Sequence, residues 1–216
     1  MRAPICALAV CTAAFCLCAV ALASNHMPQK SDSTKRDNTV LYNPALREEL
    51  LQRRDRDQAI REEITKKGLQ NPDKILFDRM QDIDEENTDR MAEIIRRYGW
   101  PGPDMVGTDG MEAAFLLVQH ANPDFQREVL PIIKRAFLDG VLPGKDYALL
   151  LDRVLLSANK PQYYGTQAQI KGHEIVLDPI QDEANVDKRR AEVGLPPLAE
   201  YLKELRQIYF PDEKQK

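Results

Sequence analysis

The sequence predicts a mainly α-helical fold, a compact domain of about seven helices with one β-hairpin near its C-terminus. Two observations indicate this fold. Apolar residues recur at the three- and four-residue spacing of a helix face along most of the chain, and Gly or Pro stands where these stretches end. After Pro161 two short runs flank Lys171-Gly172, which is typical of two strands and a tight turn. We therefore expect one domain over residues 43–211, with the hairpin at about 162–177.

The first two helices are predicted from their end signals. Asn43 before Pro44 is typical of an N-cap followed by proline at the first helical position, and Gly68 marks the end of this helix. Residues 69–81 contain a proline and are expected to form a connector. The second helix is then expected over about 84–98.

The third helix is expected to be the central one. Asp109 and Glu112 have the spacing of a capping box, and the residues that follow them are apolar on every side, as in a buried helix. This helix is expected to end at Gln119-His120, which brings two polar side chains to the edge of the core. The remaining helices are expected at about 124–138, 145–158, 186–193 and 197–210.

Polar residues interrupt the apolar faces of the first two helices. Arg53 and Asp57 fall on the apolar stripe of the first helix, and Asn87 stands in the apolar row of the second. A charged side chain on a buried face needs a partner, because an unpaired buried charge is strongly destabilising. We expect Arg53 and Asp57 either to form a buried pair or to line a cleft.

Residues 1–23 have the pattern of a secretory signal peptide. Arg2 precedes a short apolar run, and Ala21-Leu22-Ala23 supplies small residues at the positions that a signal peptidase reads. The run is shorter than the roughly 20 apolar residues that a stable membrane span needs. Cleavage is therefore expected after residue 23, and the mature protein is expected in the periplasm or outside the cell, without a stable membrane span.

Cleavage would change the cysteine content and the net charge of the chain. All four cysteines precede residue 19, so the mature chain would contain none and could form neither disulfides nor a catalytic thiol. Arg2 is the charged residue of the removed segment, so the formal charge would become −5 instead of −4, which gives no reason to expect a nucleic acid partner. Lipidation at Cys11 or Cys18 and an uncleaved anchor are the less favoured alternatives.

Two polar segments flank the expected domain. Residues 24–42 are rich in Ser, Thr, Asp, Lys and Asn, and we expect them to form a disordered spacer. Residues 212–216 are expected to be a short tail. Cleavage would place Ser24-Asn25-His26 at the amino terminus, an arrangement that can bind Cu(II) or Ni(II), although an ordinary tail histidine is the favoured interpretation.

No metal and no cofactor are expected in the folded domain. Its sequence contains His120 and His173 but no pair of histidines at metal-binding spacing. It also contains no serine-hydrolase elbow, phosphate-binding loop or dinucleotide-binding glycine motif.

The candidate catalytic residues are polar groups embedded in apolar helices. His120 could act as a general acid or base, since imidazole titrates near neutrality, or it could cap the end of its helix. Asp152 could orient His120, and Arg153 could hold an anion or a carboxylate. The alternative for Asp152 and Arg153 is a buried ion-pair network that fixes helix packing.

Further polar or aromatic residues are candidates for ligand binding. The hydroxyl, phenol, amide and indole groups of this set can contact a ring, a peptide or a sugar, while a strand with a bulge or a core Trp is the alternative. The candidates are Gln119, Trp100, Gln162, Tyr164, Thr166 and Gln167. The pair Arg189-Arg190 is expected on a solvated helix face.

Several short motifs occur together in an order that resembles an uncharacterised bacterial family, domain of unknown function 6624. The likeness covers roughly residues 46–205. The motifs are Gly99-Trp100-Pro101, Val106-Gly107, Gln119-His120-Ala121, Asp152-Arg153-Val154, Pro161-Gln162-x-Tyr164-Gly165-Thr166-Gln167, Val186-Asp187-x-Arg189-Arg190-Ala191 and Gly194-Leu195. The resemblance implies a bacterial origin, often an exported or surface setting, and no established activity.

Two functions of different classes follow from these observations. The favoured one is an exported cell-envelope domain that binds a small molecule, a cell-wall component or a protein. The alternative is a secreted or periplasmic enzyme of hydrolase or lyase type that uses acid–base chemistry at His120, with Asp152 and Arg153. The two differ in whether these residues and the 164–167 segment converge on one open cleft.

Overall fold

The computed structural model describes residues 42–67 and 73–211. The expected signal peptide, nearly all of the expected spacer, the tail, Ser24-Asn25-His26 and the helix stop at Gly68 lie outside the described residues. Among the helices within the described ranges, none combines the length and the apolar character that a membrane crossing requires.

Within these ranges the chain forms seven α-helices and one two-stranded antiparallel sheet, which confirms the predicted fold class. The helices are α1 (Pro44–Lys67), α2 (Lys74–Tyr98), α3 (Pro103–His120), α4 (Pro123–Leu138), α5 (Gly144–Ser157), α6 (Val186–Glu192) and α7 (Leu198–Tyr209). The strands are β1 (Ala168–Lys171) and β2 (Glu174–Leu177), and a 3₁₀ turn at Glu183–Asn185 leads into α6.

The predicted cap of α1 is present, whereas the predicted connector is wrong over most of its length. The side chain of Asn43 accepts the amide hydrogen of Leu46 at 3.0 Å. Helix α2 begins at Lys74, ten residues earlier than expected, because Asp73 caps it by accepting from the Ile75 amide. Its added turns bury Leu76 against α1 in a small apolar cluster of their own.

Helix α3 also begins earlier than predicted, and the capping box at Asp109 is not formed. The helix starts at Pro103, and Gly107 interrupts its regular geometry with a positive φ of 73°. The Asp109 carboxylate pairs with Arg47 of α1. Asp109 therefore joins two helices, and Gly107 supplies the left-handed conformation that the break requires.

The hairpin is shorter than predicted and its turn is shifted by one residue. Lys171 pairs with Glu174, so the turn residues are Gly172 and His173, not Lys171-Gly172. Residues 162–167 are not a strand, although Gln162 forms an isolated bridge with Ile180. Apart from the backbone contacts of Gln162 and Gln167 with residues 178–181, their backbone groups bond to side chains and not to a second strand.

The main core lies between α1, α3, α4 and α5, with contributions from α2. Helix α3 is the central element, as predicted, because most of its residues from Met111 to Gln119 are buried. Its last residue, His120, therefore emerges at one end of the core, next to α1 and α2. The two buried charged residues of α1, Asp57 and Arg61, lie at this end of the core.

Candidate functional site

His120 ends α3 beside a buried carboxylate of α1. Its Nδ1 atom lies 2.9 Å from both carboxylate oxygens of Asp57. The Asp57 side chain is 0% exposed, whereas the His120 side chain is 21% exposed. The imidazole is thus fixed from inside on its Nδ1 side while the ring remains open to solvent.

Helix periodicity places a guanidinium beside this pair. Arg61 lies one turn after Asp57 on the same face of α1, and it is 6% exposed. Arg61 Nη2 donates to Asp57 at 3.2 Å and to Asp84 of α2 at 2.5 Å, and Arg61 Nε lies 3.1 Å from His120 Nδ1. We call Asp57, Arg61, Asp84 and His120 the His120 cluster.

The contacts at Nδ1 favour one tautomer of His120. A single nitrogen cannot both donate a hydrogen to Asp57 and accept one from Arg61. Donation to the carboxylate is the stronger contact because it is charge-assisted, and Arg61 Nε already donates its hydrogen to the Asp57 oxygens at 3.3 Å. This arrangement leaves the lone pair of neutral His120 on Nε2.

Burial and neighbouring charges move the pKa values of the cluster in different directions. Desolvation lowers the pKa of His120, and the charges of Arg61 and Arg153 lower it further, against the raising effect of Asp57. Desolvation raises the pKa of Asp84 to about 6 in spite of Arg61. Desolvation alone would raise the pKa of Asp57, but the His120 hydrogen bond and the charges of His120 and Arg61 lower it overall.

A second polar layer crosses from α1 to α2 one turn away. Arg53 donates to Asn87 at 3.2 Å and to Glu49 at 3.0 Å, and Glu49 also receives two hydrogen bonds from Arg90. The amide nitrogen of Asn87 is buried without a hydrogen-bond partner among the described residues. Arg53 and Asp57 thus pair with different residues and do not pair with each other.

Gln119 and Arg153 lie next to His120, so the structure brings these three predicted site residues together. Arg153 Nη1 donates to the carbonyl oxygen of Gln119 at 3.1 Å. The Gln126 side chain donates to the same oxygen at 2.9 Å. The Gln119 amide nitrogen is buried and has no hydrogen-bond partner within the described part of the chain.

Asp152 does not orient His120, and that expectation is wrong. Its carboxylate accepts the backbone hydrogens of Tyr163 at 2.6 Å, Tyr164 at 2.9 Å and Thr166 at 3.0 Å. It also accepts the Thr166 hydroxyl hydrogen at 2.9 Å. Successive helix residues point about 100° apart, so Asp152 and Arg153 face different neighbours. The carboxylate beside His120 is Asp57.

The predicted binding residues after Pro161 belong to a closed structural unit. We call residues 162–167 the clamped segment, because side chains bond its backbone on both sides. Arg190 donates to the Tyr164 and Gly165 carbonyls, and Tyr201 donates to the Thr166 carbonyl. The Gln162 side chain spans the carbonyls of Gln167 and Asp178 and accepts the Gln167 amide hydrogen.

Most polar groups of the clamped segment therefore already have partners. Gln162, Tyr164 and Thr166 are buried, and Gln167 is half-buried with its amide donating to the Thr166 hydroxyl. Arg189 and Arg190 are 7% and 1% exposed, so the expected solvated face is wrong. Both guanidiniums are buried because they bond carbonyls of neighbouring loops.

Trp100 lies apart from these groups. It lines a groove of about 420 Å³ together with residues of α4 and the loop after it, and the described lining contains no member of the His120 cluster. The Trp100 indole nitrogen is buried and has no hydrogen-bond partner in the described ranges. The predicted candidates therefore divide among three places: the His120 cluster, the clamped segment and this groove. His120, Asp152 and the 164–167 segment do not converge on one open cleft, so the enzyme as the sequence predicts it, with Asp152 beside His120, is not supported.

The His120 cluster also contains a set of atoms that could ligate a metal ion. Asp57, Asp84 and His120 each offer one donor atom, and these atoms lie within 4.8 Å of one another. Spacing in the sequence could not reveal the set because its members come from three helices. Arg61 contacts all three residues, so a guanidinium already supplies the positive charge that they need.

Sequence comparison places the chain among relatives without an assigned activity. A family model described as a family of unknown function, DUF6624, matches residues 44–213. No curated protein and no solved structure matches the chain.

Proposed function

We propose that this chain, which belongs to the family of unknown function DUF6624, is an exported protein that binds a small polar ligand at the His120 cluster and exchanges a proton with it. One observation carries the proposal. The His120 Nδ1 atom is held by the wholly buried Asp57, while the same ring is 21% exposed to solvent.

In this proposal the two nitrogen atoms of the imidazole have separate tasks. Asp57 fixes the orientation of the ring and accepts the Nδ1 hydrogen. Nε2 can then accept a proton from a ligand hydroxyl or a bound water, and the resulting imidazolium is stabilised by the Asp57 charge. Asp84 pairs with Arg61, and its side chain is 21% exposed. Because its pKa is raised to about 6, it is a second group that changes charge near neutrality.

The competing interpretation is an ion-pair network that only joins α1, α2 and α3. Such a network needs its charges paired and dry, as those of Asp57 and Arg61 are. Two features favour a site over this interpretation. The two titratable groups at the periphery, His120 and Asp84, keep contact with solvent, and their environments move their pKa values in opposite directions.

The same two features favour an enzyme of hydrolase or lyase type as the second candidate. A base of lowered pKa and an acid of raised pKa in one site can take and return a proton at the same pH. In this version His120 is the catalytic base and Asp57 its positioning residue. Arg153 remains beside the ring, whereas Asp152 has no part in the chemistry.

Export is proposed on the sequence pattern of residues 1–23 and on the resulting absence of cysteine from the mature chain. The test is mass spectrometry of the protein recovered from the periplasm and the medium of an expressing bacterium. We expect an amino terminus at Ser24. A chain recovered only in the cytoplasm with Met1 in place contradicts export.

The site is tested by NMR titration of the histidine side chains in the wild type and in the Asp57→Asn variant. His120 is expected to titrate below its usual pKa, and to titrate lower still when the Asp57 charge is removed. The NMR signal of His173, an exposed histidine of the hairpin turn, is the control that distinguishes a local effect at His120 from a general change in the variant. Equal titration of His120 in both proteins contradicts the proposed site.

Ligand binding is tested by thermal shift with N-acetylglucosamine, N-acetylmuramic acid and D-alanyl-D-alanine. We expect at least one compound to raise the melting temperature of the wild type and of His173→Gln, but not that of His120→Gln. An equal increase in all three proteins removes His120 from the site. The enzyme alternative is tested by measuring the hydrolysis of a panel of chromogenic esters and glycosides. Unchanged turnover in His120→Ala excludes His120 as the base.

A further inference from the structure

We infer that the groove beside Trp100 is an interface between two copies of this chain, in which the α4 helices of the two copies lie antiparallel across a two-fold axis. The groove is a different surface from the His120 cluster, so the inference does not rest on the proposed function. It follows from the shape of the groove, from the apolar side chains exposed beside it and from the order of two charges along α4.

The groove is an open depression of about 420 Å³ between one face of α4 and two turns. Trp100 belongs to the turn before α3, and Val141 belongs to the turn after α4. Gly102 allows these turns to approach each other, because a Cβ atom at this position would lie 2.9 Å from Val141 Cγ1. The α4 side of the groove includes Ile132 and Ala136. The depression is therefore mainly apolar, and close packing of the two turns fixes its wall.

Apolar side chains protrude into solvent beside this depression. Leu138 of α4 is 65% exposed, and Val141 of the groove wall is 37% exposed. Leu138 follows the lining residue Arg135 by three positions, so helix geometry places it about 60° around α4 from that residue. Exposed apolar side chains grouped around a depression are typical of a protein interface. Two copies related by a two-fold axis can each place Leu138 in the groove of the other.

Arg135 and Asp139 lie one helical turn apart on the groove side of α4. Arg135 Nε donates to Asp139 Oδ2 at 2.7 Å, and the Arg135 side chain is 76% exposed. Within the described ranges neither side chain has another hydrogen bond or ion pair. Arg has five donor hydrogens and a carboxylate has two oxygens, so both groups retain atoms for a second partner.

The order of these two charges is complementary to itself. When two copies of α4 run antiparallel, Arg135 of one copy lies opposite Asp139 of the other, and the same pair recurs across the two-fold axis. Ion pairs at the rim of an interface add little affinity, but they disfavour arrangements that oppose like charges. The apolar contacts therefore supply the association, and the charges select the antiparallel arrangement. A second copy provides this charge order without any other partner.

The competing interpretation is a monomer in which Arg135 and Asp139 only stabilise α4 as a pair of residues four positions apart. In that case the groove is free for an unrelated partner. The two interpretations differ in the effect of reversing one charge, because reversal changes self-association only if two copies meet at this surface.

Sedimentation velocity of the mature chain over a range of concentrations tests the inference. We expect a reversible dimer in the wild type. Arg135→Asp and Asp139→Arg should each raise the dissociation constant of the dimer by about tenfold or more, because like charges then face each other across the axis. An equimolar mixture of these two variants should restore dimerisation, since the acidic groups of one then face the basic groups of the other.

Two exposed positions away from the groove supply matched controls. Lys134→Asp makes the same change of charge as Arg135→Asp at a neighbouring residue that points about 100° away around α4, and it should leave the dimer unchanged. Leu138→Ser should weaken the dimer, whereas Ile75→Ser, at a residue of α2 that is 71% exposed, should not. Circular dichroism confirms that each variant is folded.

Three results overturn the inference. The first is a wild type that stays monomeric at every concentration, which leaves the groove to an unrelated partner. The second is a mixture of the two charge-reversed variants that associates no better than each variant alone. The third is a loss of dimerisation in Lys134→Asp or Ile75→Ser as large as that in the groove variants, which places the interface elsewhere.

Discussion

Asp57 in the His120 cluster and Asp152, which binds the clamped segment, are both 0% exposed, yet the two carboxylates are satisfied in different ways. Asp152 accepts four hydrogens from neutral donors whose positions the backbone fixes. Asp57 shares its charge with Arg61 and His120, two groups that also have other partners or contact solvent. The first arrangement is complete without a ligand, whereas the second keeps groups that can respond to one.

The difference between Asp57 and Asp152 shows that a buried polar residue is not by itself a sign of function. Like His120, the residues Asp152, Gln162 and Arg190 are polar and buried. Their hydrogen-bonding groups, however, are bonded to other groups of the fold. A functional interpretation needs polar groups that remain in contact with solvent or lack a partner.

The Asp152→Asn variant should show the largest loss of stability. Asn keeps the shape but turns an NH₂ group toward hydrogen donors of the clamped segment, so at least one buried donor loses its acceptor. We expect the free energy of unfolding to fall by about 3 kcal/mol. Urea denaturation measures it, with the exposed Asp124→Asn as control. A loss no greater than that of the control contradicts the structural role of Asp152.

Asp57→Asn should cost less, about 1–2 kcal/mol, because Arg61 keeps Asp84 as a partner and His120 can exchange its contact for solvent. The same urea measurement applies. A double-mutant cycle with His120→Gln should give a coupling energy that depends on pH, since His120 changes its charge. A loss larger than that of Asp152→Asn breaks the comparison.

The pH dependence of stability should separate two opposing contributions. The pKa of Asp84 is raised to about 6 in the folded state, so its contribution makes the protein more stable as the pH falls from 7 toward 4. The pKa of His120 is lowered from 6.5, so its contribution makes the protein less stable as the pH falls through 6.5. Below about pH 4, protonation of Asp57, whose pKa is lowered, should destabilise the fold further.

Single variants isolate these contributions between pH 7 and pH 4. Asp84→Asn should make stability fall more steeply with falling pH, and His120→Gln should make it rise. Each unit of difference between the folded and the unfolded pKa of a group changes the free energy of unfolding by about 1.4 kcal/mol at most. Asp82→Asn, at an exposed position of α2, is the control for Asp84. Unchanged pH profiles in both variants would mean that the cluster does not titrate as described.

Tyr201→Phe should have the smallest effect. It removes the hydroxyl that donates to the Thr166 carbonyl at 2.8 Å and keeps the ring that Arg190 covers. We expect a loss of about 1 kcal/mol in the free energy of unfolding. His120 should keep its titration midpoint in this variant, because the clamped segment and the cluster are separate units. A shifted midpoint would show that they are coupled.

Sequence patterns predicted the elements that depend on near neighbours. Asn43 and Pro44 start α1 as expected, and α3 ends at His120. Asp57 was visible as a charge on an apolar stripe. Its partnership with Arg61, Asp84 and His120 is not visible in the sequence, because Asp84 and His120 lie on other helices and no local pattern shows how the helices pack. The sequence pattern predicts a strand at the clamped segment because most of the bonds to its backbone come from residues 11 to 35 positions away, which no local pattern contains.

The bonds that hold the clamped segment have a consequence for the order of synthesis. Asp152 precedes the segment, but Arg189, Arg190 and Tyr201 follow it. A chain made from its amino terminus contains the first five helices well before residue 201 exists. Premature termination before residue 189 would therefore leave the His120 helices present and the carbonyls of residues 163–166 without their donors, a defect that protease sensitivity near this segment would reveal.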